Sequence, residues 1–180
     1  MTANYFFTSD LHFYHDNVIQ YSNRPFKDVT EMNEALIANW NSVVKPTDVI
    51  YVLGDVALCK PDLATSIVKR LNGTKHLLFG NHDKNLRKNS DFLALWASAQ
   101  DYKEIKIHKQ PIVLMHYQMN VWNCSHHGSW HLHGHCHGEG EHITNSLDVG
   151  VDVWNYTPVS FDEIKKTITQ PAITVLERCT

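Results

Sequence analysis

The sequence predicts an α/β fold in which strands and helices alternate first and antiparallel strands follow. Residues 4–8 and 49–53 are short apolar runs rich in aromatic and β-branched residues, a pattern typical of buried strands. Between them, the apolar residues of segment 28–44 recur at helical spacing. A chain of 180 residues with 43% hydrophobic residues can form a substantial core, and we expect one domain over residues 1–180.

Capping and turn signals support the helices between these strands. Asp28 and Glu31 have the spacing of a capping box at the start of the first helix. A second helix over residues 61–71 is followed by the stop signal Asn72-Gly73. The same patterns predict a strand over 76–79, a helix over 91–99 and a hairpin of strands 102–107 and 112–115. A long functional loop is predicted over 117–129. Strands over 130–133 and 147–153, a helix over 160–168 and an edge strand over 173–176 complete the predicted elements.

Charge and cysteine content restrict the class of protein. The formal net charge is only -3 and the basic residues are scattered, so we expect no extended nucleic-acid surface and no membrane partner. The four cysteines form no C-x-x-C pair, which favours free thiols in a reducing compartment. Because no apolar run reaches the length of a membrane span and residues 1–4 lack the features of a signal peptide, the sequence predicts a cytoplasmic protein.

Side chains that can bind metal ions follow five of the predicted strands. In chain order they are Asp10 and His12, Asp55, Asn81 and His82, His116, and His135 and His137. The carboxyl ends of strands in an α/β sheet meet at one edge, so we expect these side chains to converge. Carboxylate, amide and imidazole donors without thiolate suit Mn, Fe or Zn. Seven of these eight residues are enough for two divalent ions, and Asp55, alone at its strand end, is the natural bridge between them.

These residues resemble the motifs of the calcineurin-like metallophosphoesterases. The pattern of that family is D-x-H, G-D, G-N-H-D/E, H and G-H-x-H, and the five blocks stand here in order at residues 10–12, 54–55, 80–83, 116 and 134–137. The resemblance implies a β-sandwich flanked by helices on both faces, and it is closest to small stand-alone bacterial and phage phosphodiesterases. It also implies one metal ion on Asp10, His12 and His137, a second on Asn81, His116 and His135, Asp55 bridging the two, and His82 facing the scissile phosphate.

The resemblance and the donor set together predict a metal-dependent phosphoesterase. Two divalent ions, with Mn favoured, lower the pKa of a bridging water, and the resulting hydroxide attacks phosphorus. His82 is expected to donate a proton to the leaving oxygen, with Asp83 supporting it. We expect a small phosphodiester or nucleotide-type substrate rather than a monoester, because only Arg24 and Lys84 lie near the motifs to bind a dianion.

Other functions and other roles stay open at the level of sequence. A phosphomonoesterase, a catalytically silent metal-binding interaction module on the same fold, and a structural zinc protein built on the histidines of segment 126–142 are the alternatives. A protein phosphatase is disfavoured, since Leu58 and Phe79 replace polar residues of that class. Several neighbouring residues have other expected roles. His131 and His133 are expected to pack in the core or to support the ligands, and His15 is expected in a solvated loop. Asp148 and Asp152 have no assigned role, except that they could lie behind the ligands. Core packing or contact with a nucleobase is open for Trp122, Trp130, Trp154 and Tyr156.

Overall fold

Two β-sheets form a sandwich in the computed structural model, which describes residues 3–169. The strands are β1 (Tyr5–Thr8), β2 (Val49–Val52), β3 (Thr74–Leu78), β4 (Ser98–Gln100), β5 (Tyr102–Ile107), β6 (Gln110–Met115), β7 (Trp130–His133), β8 (Ser146–Asp148) and β9 (Val159–Ser160). The helices are α1 (Asp16–Tyr21), α2 (Val29–Val43), α3 (Pro61–Val68), α4 (Ser90–Leu93) and α5 (Phe161–Thr169), with 3₁₀ turns at Leu86–Lys88 and Ser125–His127. The predicted fold class, an α/β arrangement of two sheets flanked by helices, is confirmed.

The first sheet has the strand order β4-β3-β2-β1-β9, and the second has the order β5-β6-β7-β8. In the first sheet β1 to β4 are parallel, and β9 pairs antiparallel with β1. In the second sheet only β5 and β6 are antiparallel, while β6, β7 and β8 run parallel. The expectation of antiparallel strands in the second half is therefore wrong for β7 and β8. The long connection over residues 117–129 returns the chain to the start of β7, which makes that strand parallel to β6.

Helices α2 and α3 cover the outer face of the first sheet. One buried cluster joins sheet residues Phe6, Ile50 and Val52 with helix residues Met32, Leu36, Trp40, Ala64 and Ile67. The start of α2 follows from its capping box, because the Asp28 side chain accepts a hydrogen bond from the Glu31 backbone N–H at 2.9 Å. Glu31 in turn accepts from the Lys27 backbone N–H at 2.8 Å. The predicted capping box is thus present, with the returning bond one residue earlier than usual.

The space between the sheets is filled by a second apolar cluster. It contains Phe7, Tyr51, Leu53 and Leu78 from the first sheet, Ile112, Leu114, Trp130 and Leu132 from the second, and Phe161 and Ile164 from α5. Helix α5 contacts β1, β8 and β9, and it begins at the predicted pair Ser160 and Glu163, whose side chains and backbone N–H groups bond to each other. Burial of both sheet faces fixes the register of the strands, and with it the positions of the loops that follow them.

Several predicted elements differ from the structure. Helix 91–99 is reduced to α4, because Ser98–Gln100 instead pairs with β3 as an edge strand. Strand 147–153 ends at Asp148, after which the chain turns. Helix α1 and strand β9 were not predicted; each is too short to show a periodic pattern. The predicted strand over 173–176 lies outside the described residues.

No helix within residues 3–169 is long and apolar enough to cross a membrane. Among the described residues, Cys59, Cys124 and Cys136 are free thiols. The cytoplasmic location and the single domain stay predictions.

Candidate metal centre

The predicted ligands converge where strands of both sheets end. Asp10 and His12 follow β1, Asp55 follows β2, Asn81 and His82 follow β3, His116 follows β6, and His135 and His137 follow β7. Backbone hydrogen bonds hold the first two loops together, from Asp10 N–H to the Gly54 carbonyl at 3.1 Å and from His12 N–H to the Asp55 carbonyl at 2.9 Å. The site is therefore built on one edge shared by the two sheets.

Most of these residues have a backbone conformation that side chains rarely adopt. Positive φ angles are found at Asp10 (56°), His12 (51°), Asp55 (54°), His135 (68°) and His137 (48°). Outside glycine, such conformations cost about 1–3 kcal/mol each and persist only where the surrounding structure fixes them. Their concentration at the strand ends turns the ligand side chains away from the strand direction and toward one another.

Two glycines of the motifs allow the loops to approach closely. A Cβ atom at Gly134 would clash with Ser9 Oγ and Asp10 Oδ2. Gly54 has a φ of +94°, and a Cβ there would lie 2.5 Å from the Gly80 nitrogen and 2.7 Å from His116 Nδ1. Any side chain at these positions would separate the loops that carry the candidate ligands.

The side chains form two clusters, each with its ligand atoms within 4.8 Å of one another. The first cluster contains Asp10, His12 and His137, and the second contains Asp55, His116 and His135. Asp55 Oδ2 lies 3.6 Å from His12 Nε2 and 3.5 Å from His116 Nε2, so this carboxylate stands between the clusters. Asn81 adjoins the second cluster, with its Oδ1 2.9 Å from His116 Nε2.

The donor atoms of the first cluster fit a cation. Asp10 Oδ2 accepts a hydrogen bond from the His135 N–H at 2.9 Å, but Asp10 Oδ1 and His12 Nε2 are buried without any hydrogen-bond partner among the described residues. Buried polar atoms are almost always paired, so two orphans on facing side chains indicate a missing positive partner. Burial raises the pKa of Asp10 to about 7 and lowers that of His12 well below its usual range. The two clusters together fit divalent metal ions.

A buried ion pair between Arg24 and Asp152 lies behind the first cluster and contacts two of its residues. The Arg24 guanidinium donates to both carboxylate oxygens of Asp152 at 2.8 Å and to the Asp10 carbonyl at 2.7 Å. Asp152 Oδ2 also accepts from His137 Nδ1 at 2.7 Å, which leaves Nε2 of that ring free to bind an ion. This hydrogen bond raises the pKa of His137. Asp152 thus lies behind the candidate ligand His137, and Arg24, one of the two basic residues near the motifs in sequence, is bound to Asp152.

Asp83 has a different role from the one predicted. Its carboxylate accepts hydrogen bonds from the backbone N–H groups of Asp55 at 2.9 Å, Val56 at 3.0 Å and Gly80 at 2.8 Å. The prediction that it supports the His82 ring is wrong, because these three bonds direct both oxygens into the loops beneath the site. Burial raises the pKa of Asp83 to about 6. The residue joins two of the motif loops.

His82 faces an open cleft and belongs to neither cluster. Its side chain is 38% exposed, and Nε2 lies 4.0 Å from Asp55 Oδ2. The cleft has a volume of about 380 Å³ and is lined by His12, His15, Val18, Tyr21, Ser22, Asn23, Asp55, Asn81, His82, His135, Cys136, His137 and Glu139. No lysine or arginine of the described chain lines it. His15 was expected to be solvated, but its Nδ1 lies 3.4 Å from His12 Nδ1.

The other histidines and aromatic residues lie away from the cleft. His131 is buried beneath the loop over residues 117–129, where its Nε2 accepts from the Met119 N–H at 3.2 Å and its ring meets that of Trp122. His133 is buried as well, as a packing role requires. The tryptophans at 122, 130 and 154 and Tyr156 do not line the cleft. Within residues 3–169, the histidines of segment 126–142 other than His135 and His137 fall in neither ligand cluster, which removes the support for a structural zinc site.

Comparison with known proteins identifies relatives that span nearly the whole chain. No family model matches the chain. It is 36% identical over 171 residues to the uncharacterized protein MJ1445 of Methanocaldococcus jannaschii, covering 89% of this chain and 88% of that one. It is 28% identical over 193 residues to the Gene 66 protein of Mycobacterium phage L5, covering 90% of this chain and 92% of that one.

Among solved structures, the crystal structure of AQ665, a protein of unknown function from Aquifex aeolicus, aligns with a TM-score of 0.75 at 28% identity and covers 93% of this chain and all of that one. A novel archaeal phosphodiesterase aligns distantly, with a TM-score of 0.48 at 17% identity over 82% of each chain. The chain is 36% identical to MJ1445 and the alignment covers most of both proteins, so the chain belongs to the family of MJ1445.

Proposed function

We propose that this protein is a phosphoesterase that uses two divalent metal ions and prefers phosphodiesters. The observation that carries the proposal is the position of Asp55, whose Oδ2 lies 3.6 Å from a histidine of one cluster and 3.5 Å from a histidine of the other. A carboxylate shared between two ligand sets is what a pair of adjacent ions requires. The unpartnered Asp10 Oδ1 and His12 Nε2 support a metal ion at the first cluster.

The chain supplies separate ligands to each ion. Asp10, His12 and His137 would hold the first, Asn81, His116 and His135 would hold the second, and Asp55 would bind both. When bound, the ions would activate a water for attack on phosphorus and neutralise the phosphate oxygens. The oxygen and imidazole donors suit Mn, Fe or Zn, and we expect Mn to support activity.

We assign proton donation to the leaving group to His82. It lines the cleft without belonging to a ligand cluster, and its backbone N–H donates to Asp55 Oδ1 at 2.9 Å. That bond holds the His82 backbone beside the Asp55 carboxylate, and the ring Nε2 lies 4.0 Å from Asp55 Oδ2. An exposed imidazole at this place can give a proton to the departing oxygen, which otherwise develops negative charge.

The charge of the cleft favours a diester over a monoester. A phosphomonoester dianion is normally bound by arginine or lysine side chains. The described cleft contains neither, Arg24 is bound to Asp152, and Glu139 adds an exposed carboxylate to the rim. A diester carries a single negative charge and has less need of such cations.

The test is hydrolysis of bis(4-nitrophenyl) phosphate by purified protein supplied with Mn²⁺. We expect turnover that stops on chelation and is absent in Asp55→Asn, while circular dichroism shows that the variant is folded. Asp101→Asn, at a surface ion pair with Arg87, is the matched control and should keep full activity. Turnover that survives complete chelation would contradict the proposal. Metal-loaded protein that hydrolyses neither diesters nor monoesters would identify a metal-binding interaction module instead.

A further inference from the structure

Two clefts meet at His82. The larger one extends from the candidate metal ligands along helix α1. The smaller one has a volume of about 230 Å³ and is lined by Ala57, Leu58, Cys59, His82, Asn85 and Leu86. A phosphodiester has two ester arms on one phosphorus, so a phosphate held beside His82 has a separate cleft available for each arm.

Helix α1 presents an exposed aromatic ring to the larger cleft. Tyr21 is 75% exposed although its ring is large and aromatic, and it lines this cleft. Its ring meets that of His15 edge to face, with the centroids 6.4 Å apart. The His15 ring lies 6.0 Å from that of His82, so a series of rings leads from His82 to Tyr21 at angles to one another. A planar group attached to the phosphate can stack on the exposed face of Tyr21.

The charges around the clefts restrict what the arms can be. Neither cleft is lined by a lysine or arginine of the described chain, so additional phosphate groups would find no counter-charge. Glu139, which also lines the larger cleft, is exposed and can only accept hydrogen bonds while it is ionised. An uncharged arm that carries N–H or O–H donors fits these surroundings. In the smaller cleft, Leu58 is 43% exposed and offers an apolar contact.

We propose that Tyr21 forms a subsite for an uncharged aromatic arm, a nucleobase or an aryl group, and that the cleft beside Leu58 receives the second arm of the same phosphodiester. This inference rests on the proposed function and names the substrate class for that site. The sequence left Trp122, Trp130, Trp154 and Tyr156 open between the core and a nucleobase, and none of them lines either cleft. Tyr21 had no signal beyond being aromatic.

The first test compares substrates that share one leaving group. Bis(4-nitrophenyl) phosphate and methyl 4-nitrophenyl phosphate are assayed with the Mn²⁺-loaded full chain. Tyr21→Ala is expected to raise KM about tenfold for both with kcat nearly unchanged, since base–aromatic stacking is lost, whereas Tyr21→Phe keeps the wild-type KM. Leu58→Ser should raise KM for the bis-aryl substrate alone. Tyr102→Ala removes another exposed tyrosine, which lines neither cleft, and is the control.

The second test measures binding without turnover. Calorimetric titration of the Mn²⁺-loaded protein with thymidine 5′-monophosphate and with inorganic phosphate is expected to show tighter binding of the nucleotide, and Tyr21→Ala should remove that difference. Equal affinity for the two ligands, or a Tyr21→Ala variant that matches Tyr102→Ala in both tests, would overturn the subsite. Tyr21-dependent nucleotide binding by a protein that hydrolyses no ester would sustain the subsite and refute the phosphoesterase.

Discussion

Asp152 Oδ2 lies 2.7 Å from Nδ1 of His137, with Arg24 bound to both oxygens of the same carboxylate. Carboxylates behind histidine ligands fix the ring orientation, and their loss typically weakens metal binding about 10- to 100-fold. We therefore expect Asp152→Asn to weaken the binding of one Mn²⁺ by about that factor, because the His137 ring loses its anionic partner. Calorimetric titration should show the second ion unaffected. Equal affinities in Asp152→Asn and in the surface variant Asp101→Asn would contradict this role.

The proton donor is predicted to matter most for poor leaving groups. His82→Gln removes the acid but leaves both ligand clusters intact. Because 4-nitrophenolate departs without protonation, kcat for bis(4-nitrophenyl) phosphate should fall only modestly, whereas kcat for a dialkyl-type diester such as a dinucleotide should fall about 100-fold or more. Stoichiometric Mn²⁺ binding by the variant is the control for the site. A uniform loss across both leaving groups would instead indicate that His82 binds the phosphate.

The sequence was sufficient for the parts of the molecule that have regular patterns. Strands such as 49–53 are continuous apolar runs, and each motif follows the strand that positions it, so the fold class and the convergence of the candidate ligands could be anticipated. The edge strand Ser98–Gln100 could not, because it is defined by pairing with β3 rather than by its own composition. Arg24 was noted only as a basic residue near the motifs and Asp83 was assigned to His82, because adjacency in sequence says nothing about where a side chain points. Their actual partners, Asp152 and the backbone of two loops, lie 128 and up to 28 positions away.

Metal binding is predicted to release protons at mildly acidic pH. Burial raises the pKa of Asp10 to about 7, and the hydrogen bond to Asp152 raises that of His137, so below pH 7 the metal-free site holds protons that an ion must displace. Affinity for Mn²⁺ should therefore fall as the pH is lowered from 8 to 6. Titration in buffers of different ionisation enthalpy should detect about one proton more released at pH 6 than at pH 8.5, where Asp10 is already ionised in the metal-free protein. Asp10→Asn, in which the amide cannot titrate, should release fewer protons at pH 6, and identical release by the two proteins would exclude Asp10 as a source.

The last prediction concerns Gly134, the residue before His135. A Cβ at this position would clash with Ser9 Oγ and Asp10 Oδ2, so Gly134→Ala must displace the loop that follows β1. Crowding of this kind typically costs about 1–3 kcal/mol of unfolding free energy, and the displaced Asp10 should also weaken Mn²⁺ binding. Gly128→Ala is the matched control, because its φ is +81° and nothing lies within 4 Å of the added Cβ. The free energy of unfolding of Gly128→Ala should fall by about 1 kcal/mol from backbone strain alone, and its affinity for Mn²⁺ should not change. Denaturant unfolding and Mn²⁺ titration of both variants separate the two effects, and wild-type metal affinity in Gly134→Ala would show that the two loops are not held in contact there.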